Sequence, residues 1–201
     1  MKTGPKFKIA KRLGAPIYEK TQGQKFALSE ARTGKTRKRF SKPSDYKRQL
    51  LEKQKMRLTY GLSERQFRSY VDLAMEKSQT PIEHLFCRLE YRLDNVVYRA
   101  GLAKTRRLAR QIVTHGHITL NGRKMNVPSH KVKIGDIVSV REGSRSSALF
   151  TDLAERHEAT AVPNWVEFDL KNLSVKVSGT PKFQPTEAYF DPEQVLEYYS
   201  R

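Results

Sequence analysis

Arg106, Arg107 and Arg110 are spaced so that, at about 100° per residue, their guanidiniums share one side of a helix. Leu108, Ala109, Ile112 and Val113 share the other side. Guanidinium forks match phosphate oxygens bidentately and stack on exposed bases, so three of them on a rigid element make a grip for a phosphate backbone. Arg99, Lys104 and Thr105 lead into this trio, and His115, His117, Asn121, Arg123 and Lys124 follow it. Catalytic constellations are missing by comparison. His84, His115, His117, His130 and His157 are scattered, and His115-Gly-His117 has strand-like spacing and no carboxylate to complete a metal site. No glycine-rich phosphate loop or nucleophile elbow occurs, and Asp94 reads as a helix cap and not as a general base.

The elements that position the arginines carry their own signals. Thr105 is an N-cap residue and Gly116 stands where a helix would end. Ile118 and Leu120 alternate with His117 and Thr119, and Asn121-Gly122 is a two-residue hairpin turn. Val132 and Ile134, then Val138 and Val140, continue the strand pattern around Gly135-Asp136. Upstream, Ser44-Asp45 open a helix through Leu50, Leu51, Gln54 and Leu58 that stops at Gly61. Ser63-x-x-Gln66 is a capping box for a second helix, and Thr80-Pro81-Ile-Glu83 begins a third. Downstream, residues Leu149 to His157 suit a short helix. Val166, Phe168 and Leu170 with Leu173, Val175 and Val177 predict a hairpin. Asp191-Pro192 starts a final helix with Val195, Leu196 and Tyr199 on one side.

Charge is segregated along the chain. The 201 residues carry 39 basic and 21 acidic side chains, a net charge of +18. Residues 1–48 contribute +12, 49–87 +1, 88–150 +9 and 151–201 −4. A surplus of this size repels itself in a folded protein and calls for a polyanionic partner. No apolar run nears the roughly 20 residues of a membrane span, and no apolar signal core follows Met1-Lys-Thr-Gly-Pro-Lys-Phe-Lys8, so the expectation is a soluble cytosolic protein. The arm up to about Asp45 has little apolar periodicity, four glycines and the run Lys35-Thr-Arg37-Lys38-Arg39. It is expected to be largely disordered alone and to order against nucleic acid, with Phe7, Ile9, Leu13, Ile17 and Tyr18 favouring partial docking. Cys87 is the single cysteine. It excludes an internal disulfide or a multi-cysteine zinc site and reads as a buried small hydrophobe on a helix.

Several stretches resemble a known family. Arg88-Leu-Glu-Tyr-Arg-Leu-Asp-Asn-Val-Val-Tyr-Arg-Ala-Gly101, Arg110-Gln-Ile-Val-Thr-His-Gly-His-Ile-Thr-Leu-Asn-Gly122 and Val132-Lys-Ile-Gly-Asp-Ile-Val138 resemble the S-four RNA-binding module. Thr3-Gly-Pro-Lys6, Arg12-Leu-Gly14, Ser44-Asp-Tyr46, Glu52-Lys-Gln-Lys55, Tyr60-Gly61, Glu64-Arg-Gln-Phe67, Val162-Pro-Asn-Trp165 and Tyr198-Tyr-Ser-Arg201 extend the resemblance to the bacterial-type S-four ribosomal protein family from end to end. Residues 15–40 and 142–160 match least. The resemblance implies an α+β fold: an all-helical domain holding an inserted RNA-binding (αL-type) domain with a small antiparallel sheet, preceded by a basic N-terminal arm. The expected divisions are the arm 1–44, a helical domain 45–87 completed by 180–201, the module 88–150, and a hairpin and connecting segment 151–179.

The resemblance also implies a structural constituent of the small ribosomal subunit and no enzyme. It would be a primary binder of small-subunit (16S-type) rRNA that nucleates assembly of the subunit body and contributes to translational accuracy. Implied partners are that rRNA, ribosomal protein S-five and other small-subunit proteins, and mRNA entering the subunit, with no membrane. The implied location is the cytoplasm, on the ribosome. Candidate rRNA contacts from the arm are Lys6, Lys8, Lys11, Arg12, Lys35, Arg37, Lys38, Arg39 and Lys42. From the helical domain they are Tyr46, Arg48, Lys53, Lys55, Arg65, Arg68 and Arg201. The module adds Arg99, Lys104, Thr105, Arg106, Arg107, Arg110, His115, His117, Asn121, Arg123 and Lys124. Many members of the family carry a metal-binding cysteine cluster near the N-terminus; this arm has none, so no metal and no cofactor are expected. An RNA-modifying enzyme using the same module would need a catalytic domain with an essential Asp, and the roughly 50 residues after the module offer none. A stress-related ribosome-binding factor is the other alternative.

Overall fold

The computed structural model describes residues 4–34, 44–151, 153, 162–185 and 188–200. Lys35, Arg37, Lys38, Arg39, Lys42 and Arg201 lie outside the described residues, as does most of the short helix expected at 149–157. The chain forms two units, one of residues 1–85 with 184–201 and the other of residues 86–183.

The first unit is helical. Its elements are α1 (Lys6–Leu13), α2 (Gln24–Gly34), α3 (Asp45–Thr59), α4 (Glu64–Lys77) and the C-terminal helix, α8 (Pro192–Tyr199). Ser44 Oγ accepts from Lys47 N at the start of α3, and Ser63 and Gln66 form the reciprocal capping box at the start of α4. Over its described part the arm docks through apolar residues that favoured partial docking. Leu13, Ala15, Ile17 and Tyr18 are buried and pack with Leu58, Ile9 and Leu51, while Gly14 at φ 67° ends α1. The apolar residues of the arm are too sparse for a helical stripe, but α3 supplies the surface that completes their burial.

Helix α8 is fastened to α3 and α4 by polar contacts and rings together. Gln49 Nε2 donates to Glu197 at 2.9 Å, the Tyr199 hydroxyl donates to Glu64 at 2.7 Å, and the Phe67 and Tyr199 ring centroids are 6.1 Å apart. Glu64 also accepts from Lys53 at 2.8 Å, and Lys53 itself is only 4% exposed. Burial pushes the Glu64 carboxyl up, but hydrogen bonds from Lys53 and Tyr199 and the charges of Lys53 and Arg57 outweigh it, leaving the pKa below the ordinary carboxylate value. A lowered folded pKa adds stability above the unfolded value of about 4.3. That stability is lost as pH falls through the folded pKa. Glu64→Gln should therefore flatten the loss of urea stability below that pH; parallel parent and variant profiles would refute the linkage.

The second unit joins helices to a sheet. It holds α6 (Leu93–Arg99) and α7 (Arg106–Thr114), and α5 (Pro81–Glu90) leads into it. Its strands are β1 (Ile118–Leu120), β2 (Arg123–Met125), β3 (Ile137–Val140), β4 (Val166–Asp169) and β5 (Ser174–Val177). They form one antiparallel sheet in the order β2-β1-β3-β5-β4. Leu120 pairs with Arg123, and Asn121 and Gly122 between them have φ of 49° and 79°. Positive φ at both central residues is the hairpin turn whose twist matches its strands.

One face of the sheet is apolar by alternation: Ile118, Leu120, Val138, Val140, Val166, Val175 and Val177 are buried with Val96, Val97, Ala109, Ile112 and Val113. Ile134 does not join them; it is 57% exposed, in the turn before Gly135, where the strand pattern is broken. Cys87 is half-buried and its thiol donates to the Pro181 carbonyl at 3.2 Å. The fold is α+β, with eight α-helices and five strands among the described residues. No helix among those residues is long and apolar enough to cross a membrane.

Candidate nucleic-acid interface

Helix α7 is amphipathic. Ala109, Ile112 and Val113 are buried, Arg107 is exposed, and Arg106 and Arg110 are half-buried. Thr105 Oγ1 accepts from Leu108 N at 3.1 Å, so its predicted role is a cap. The charge order along the helix is the reverse of what stabilises a helix. Two arginines stand at its positive end, with no acidic residue in the first turn and no basic one in the last. Cations there oppose the helix dipole, and a phosphate at the same end would relieve both.

The turn from α7 to β1 gathers more cations. His115 is exposed, and Lys124 lies across Gly116, where a β-carbon would collide with its Cε. Gly116 has φ of 73°, so the backbone selects glycine, while the exposed Lys124 side chain could move aside for a β-carbon. Burial holds the His117 pKa below its ordinary value, and the charges of Arg141, His115 and Lys124 lower it further. Its Nδ1 lies 3.0 Å from Ser144 Oγ. The His115 and His117 ring centroids are 6.2 Å apart, and among the described residues no group of three His, Cys, Asp or Glu is placed to hold a metal. Arg123 and Lys104 are exposed on the same unit.

Other expected contacts are engaged within the protein. Arg99 donates through Nε and Nη2 to Glu90 at 2.8 and 3.1 Å. Arg106 Nε donates to Asn95 Oδ1 at 3.0 Å, and its guanidinium lies 4.3 Å from the Tyr98 ring centroid. Asn121 clamps two turns: it accepts from Ile137 N and donates to Asp136, both at 2.9 Å. In the helical unit, Lys53 pairs with Glu64 and Lys55 with Glu52 at 2.6 Å. Lys11 Nζ donates to Ser29, and Lys6 Nζ stands 5.4 Å from the Tyr18 ring centroid. Arg48 pairs with Asp45 on an exposed helix start, and Arg68 lies 3.8 Å from Asp72. Lys8, Arg12 and Arg65 are exposed, and Tyr46 is exposed with its ring 5.7 Å from Tyr198.

Sequence reasoning missed the buried polar group of the second unit. Glu90 is fully buried, Arg92 is 2% exposed, and Arg92 Nη2 donates to Asp94 at 2.7 Å. Asp94 is thus an ion-pair partner inside the first turn of α6, whose N-cap is Arg92. The available signal was charge at positions 90, 92 and 94 inside an otherwise apolar run.

An arginine-bearing helix leading through a tight turn into a hairpin, all on one apolar core, is the architecture of an RNA-binding module. Residues 92–138 match the S4 domain, and residues 1–90 match the ribosomal protein S4/S9 N-terminal domain. The chain is 42% identical over 199 residues to small ribosomal subunit protein uS4 of Persephonella marina, covering 98% of this chain and 97% of that one. It is 46% identical over 158 residues to the uS4 protein of Dehalococcoides mccartyi, covering 79% and 76%. The uS4 protein of Halothermothrix orenii is 39% identical over 203 residues, covering 98% of each chain. The chain belongs to the uS4 family of small ribosomal subunit proteins. Its role is structural and ribosome-bound, within translation, and not enzymatic.

Proposed function

We propose that this chain is a primary binder of small-subunit (16S-type) rRNA in the cytoplasm, docking early at a helix junction and nucleating assembly of the subunit body. The observation that carries the reading is α7 with its following turn. Arginines at the positive end of a helix, and Lys124 and Arg141 close enough to His117 to help hold its pKa down, are arranged at a cost that a phosphate backbone offsets. The major groove of A-form RNA is too deep and narrow for side chains to read, so the grip acts on phosphates, 2′-hydroxyls and shape. Exposed Arg107, Arg123 and Lys124 belong to that grip on the second unit, and the first unit offers exposed Lys8 and Arg12 of its own. Contact with ribosomal protein S-five, an influence on decoding accuracy and basic residues offered to mRNA entering the subunit belong to the same reading.

Quantifying the protein in salt-washed small subunits tests it. A structural primary binder stays stoichiometric through the wash. Substoichiometric, dissociable recovery would instead identify a factor that visits the subunit.

A further inference from the structure

We propose that Asn95, held by the buried carboxylate of Glu90, is a positioning residue for RNA binding: it fixes the Arg106 guanidinium in the plane in which it meets phosphate. The proposal rests on the reading of α7 as an RNA contact.

Glu90 is fully buried at the end of α5 and Asn95 is 3% exposed on α6. Asn95 Nδ2 donates to Glu90 Oε2 at 2.7 Å, and Asn95 Oδ1 accepts from Arg106 Nε at 3.0 Å. The orientation of the amide is settled by its neighbours. An ionised carboxylate only accepts and an arginine Nε only donates, so the amide must turn its NH2 to the first and its oxygen to the second. Aspartate at 95 would face Glu90 with a second acceptor, and a hydroxyl would be too short to span both. Arg106 is therefore held in two ways, at Nε by the amide and at its face by the Tyr98 ring, 4.3 Å away. The same carboxylate takes two hydrogen bonds from Arg99, so one buried charge organises guanidiniums from two helices.

This arrangement is directed at a ligand and not at helix stability. Arg106 is the first residue of α7, where the helix dipole disfavours a cation. An arginine that is flexible in the free protein must lose rotamer freedom on binding phosphate; one already fixed does not. Asn95 thus contributes to affinity while touching no RNA.

The test is a double-mutant cycle with a full-length small-subunit rRNA transcript at fixed salt, with thermal melts of every variant. Asn95→Ala should raise Kd by roughly three- to tenfold in the parent and leave it unchanged in an Arg106→Ala background, because it acts through that arginine. Arg106→Lys keeps the charge but loses the Nε contact and the flat stacking, and it should weaken binding nearly as much as Arg106→Ala. If Asn95→Ala fails to fold, Tyr98→Leu takes its place in the cycle, since it keeps apolar bulk and removes the ring under the guanidinium. Equal losses in both backgrounds, or a fully active Arg106→Lys, would overturn the positioning role. Arg107→Glu is measured alongside: if it too leaves binding intact, it is the RNA reading of α7 that fails.

Discussion

Reversing Arg107 and Arg110 to glutamate weakens binding of small-subunit rRNA by about 100-fold and reduces the slope of log affinity against log salt by roughly 1.4–1.8. The slope follows from counterion release, about 0.7–0.9 for each phosphate that is no longer neutralised, over two phosphates. The affinity follows from two charge-assisted hydrogen bonds at about 1.5 kcal/mol each, a total that corresponds to roughly two orders of magnitude. These two positions are chosen because Arg107 is exposed and Arg110 half-buried on the face opposite Ala109, Ile112 and Val113. Reversing Arg106 as well would disturb Asn95 and Tyr98 and mix packing with binding. Filter binding across a salt series reads both quantities. Two parallel lines, displaced or not, would mean that α7 touches no phosphate.

The same contrast shows which parts of the interface could be read from sequence. Helix α7 was legible because its signals are local: a threonine cap, a glycine at the end and apolar residues on one side. The hairpin was legible from Asn121-Gly122, which meets the positive φ of both turn positions. Local signals failed where partners are distant in sequence. Lys53 looks like any lysine in a basic helix until Glu64 and Tyr198 enclose it. Leu13, Ile17 and Tyr18 signalled that the arm would dock, but a local reading could not name their apolar partners on α3, Leu51 and Leu58. Net charge counts cations but cannot say which of them face an acid. Of the basic side chains expected to meet RNA, Lys53, Lys55 and Arg99 spend their charge on Glu64, Glu52 and Glu90. Among the described residues, the charge blocks therefore include cations that are already paired inside the protein.

Glu90→Ala destabilises the module by about 3–5 kcal/mol, the range for removing one partner of a buried ion pair. The carboxylate is fully buried and satisfies three donors, two from Arg99 and one from Asn95, at 2.7–3.1 Å. Without it Arg99, whose side chain is 23% exposed, loses this counter-charge, and the Asn95 amide loses an acceptor. Glu90→Gln tests the charge apart from the shape. Its amide can accept from one side but turns a donor towards another, an unsatisfied pairing that costs about 1–3 kcal/mol, so it should fall between parent and alanine. Glu64→Ala is the informative comparison, because Glu64 keeps a side chain 48% exposed and water can replace part of what it loses. Urea unfolding of the Glu90 variants is followed by Trp165, the single tryptophan, which packs against the core of the second unit, and that of Glu64→Ala in the helical first unit by far-ultraviolet circular dichroism. The ordering parent, Gln, Ala is the expected result. If Glu90→Ala unfolded at the parental midpoint, the buried carboxylate would be incidental to the module, and its hold on Arg99 and Arg106 would have to come from elsewhere.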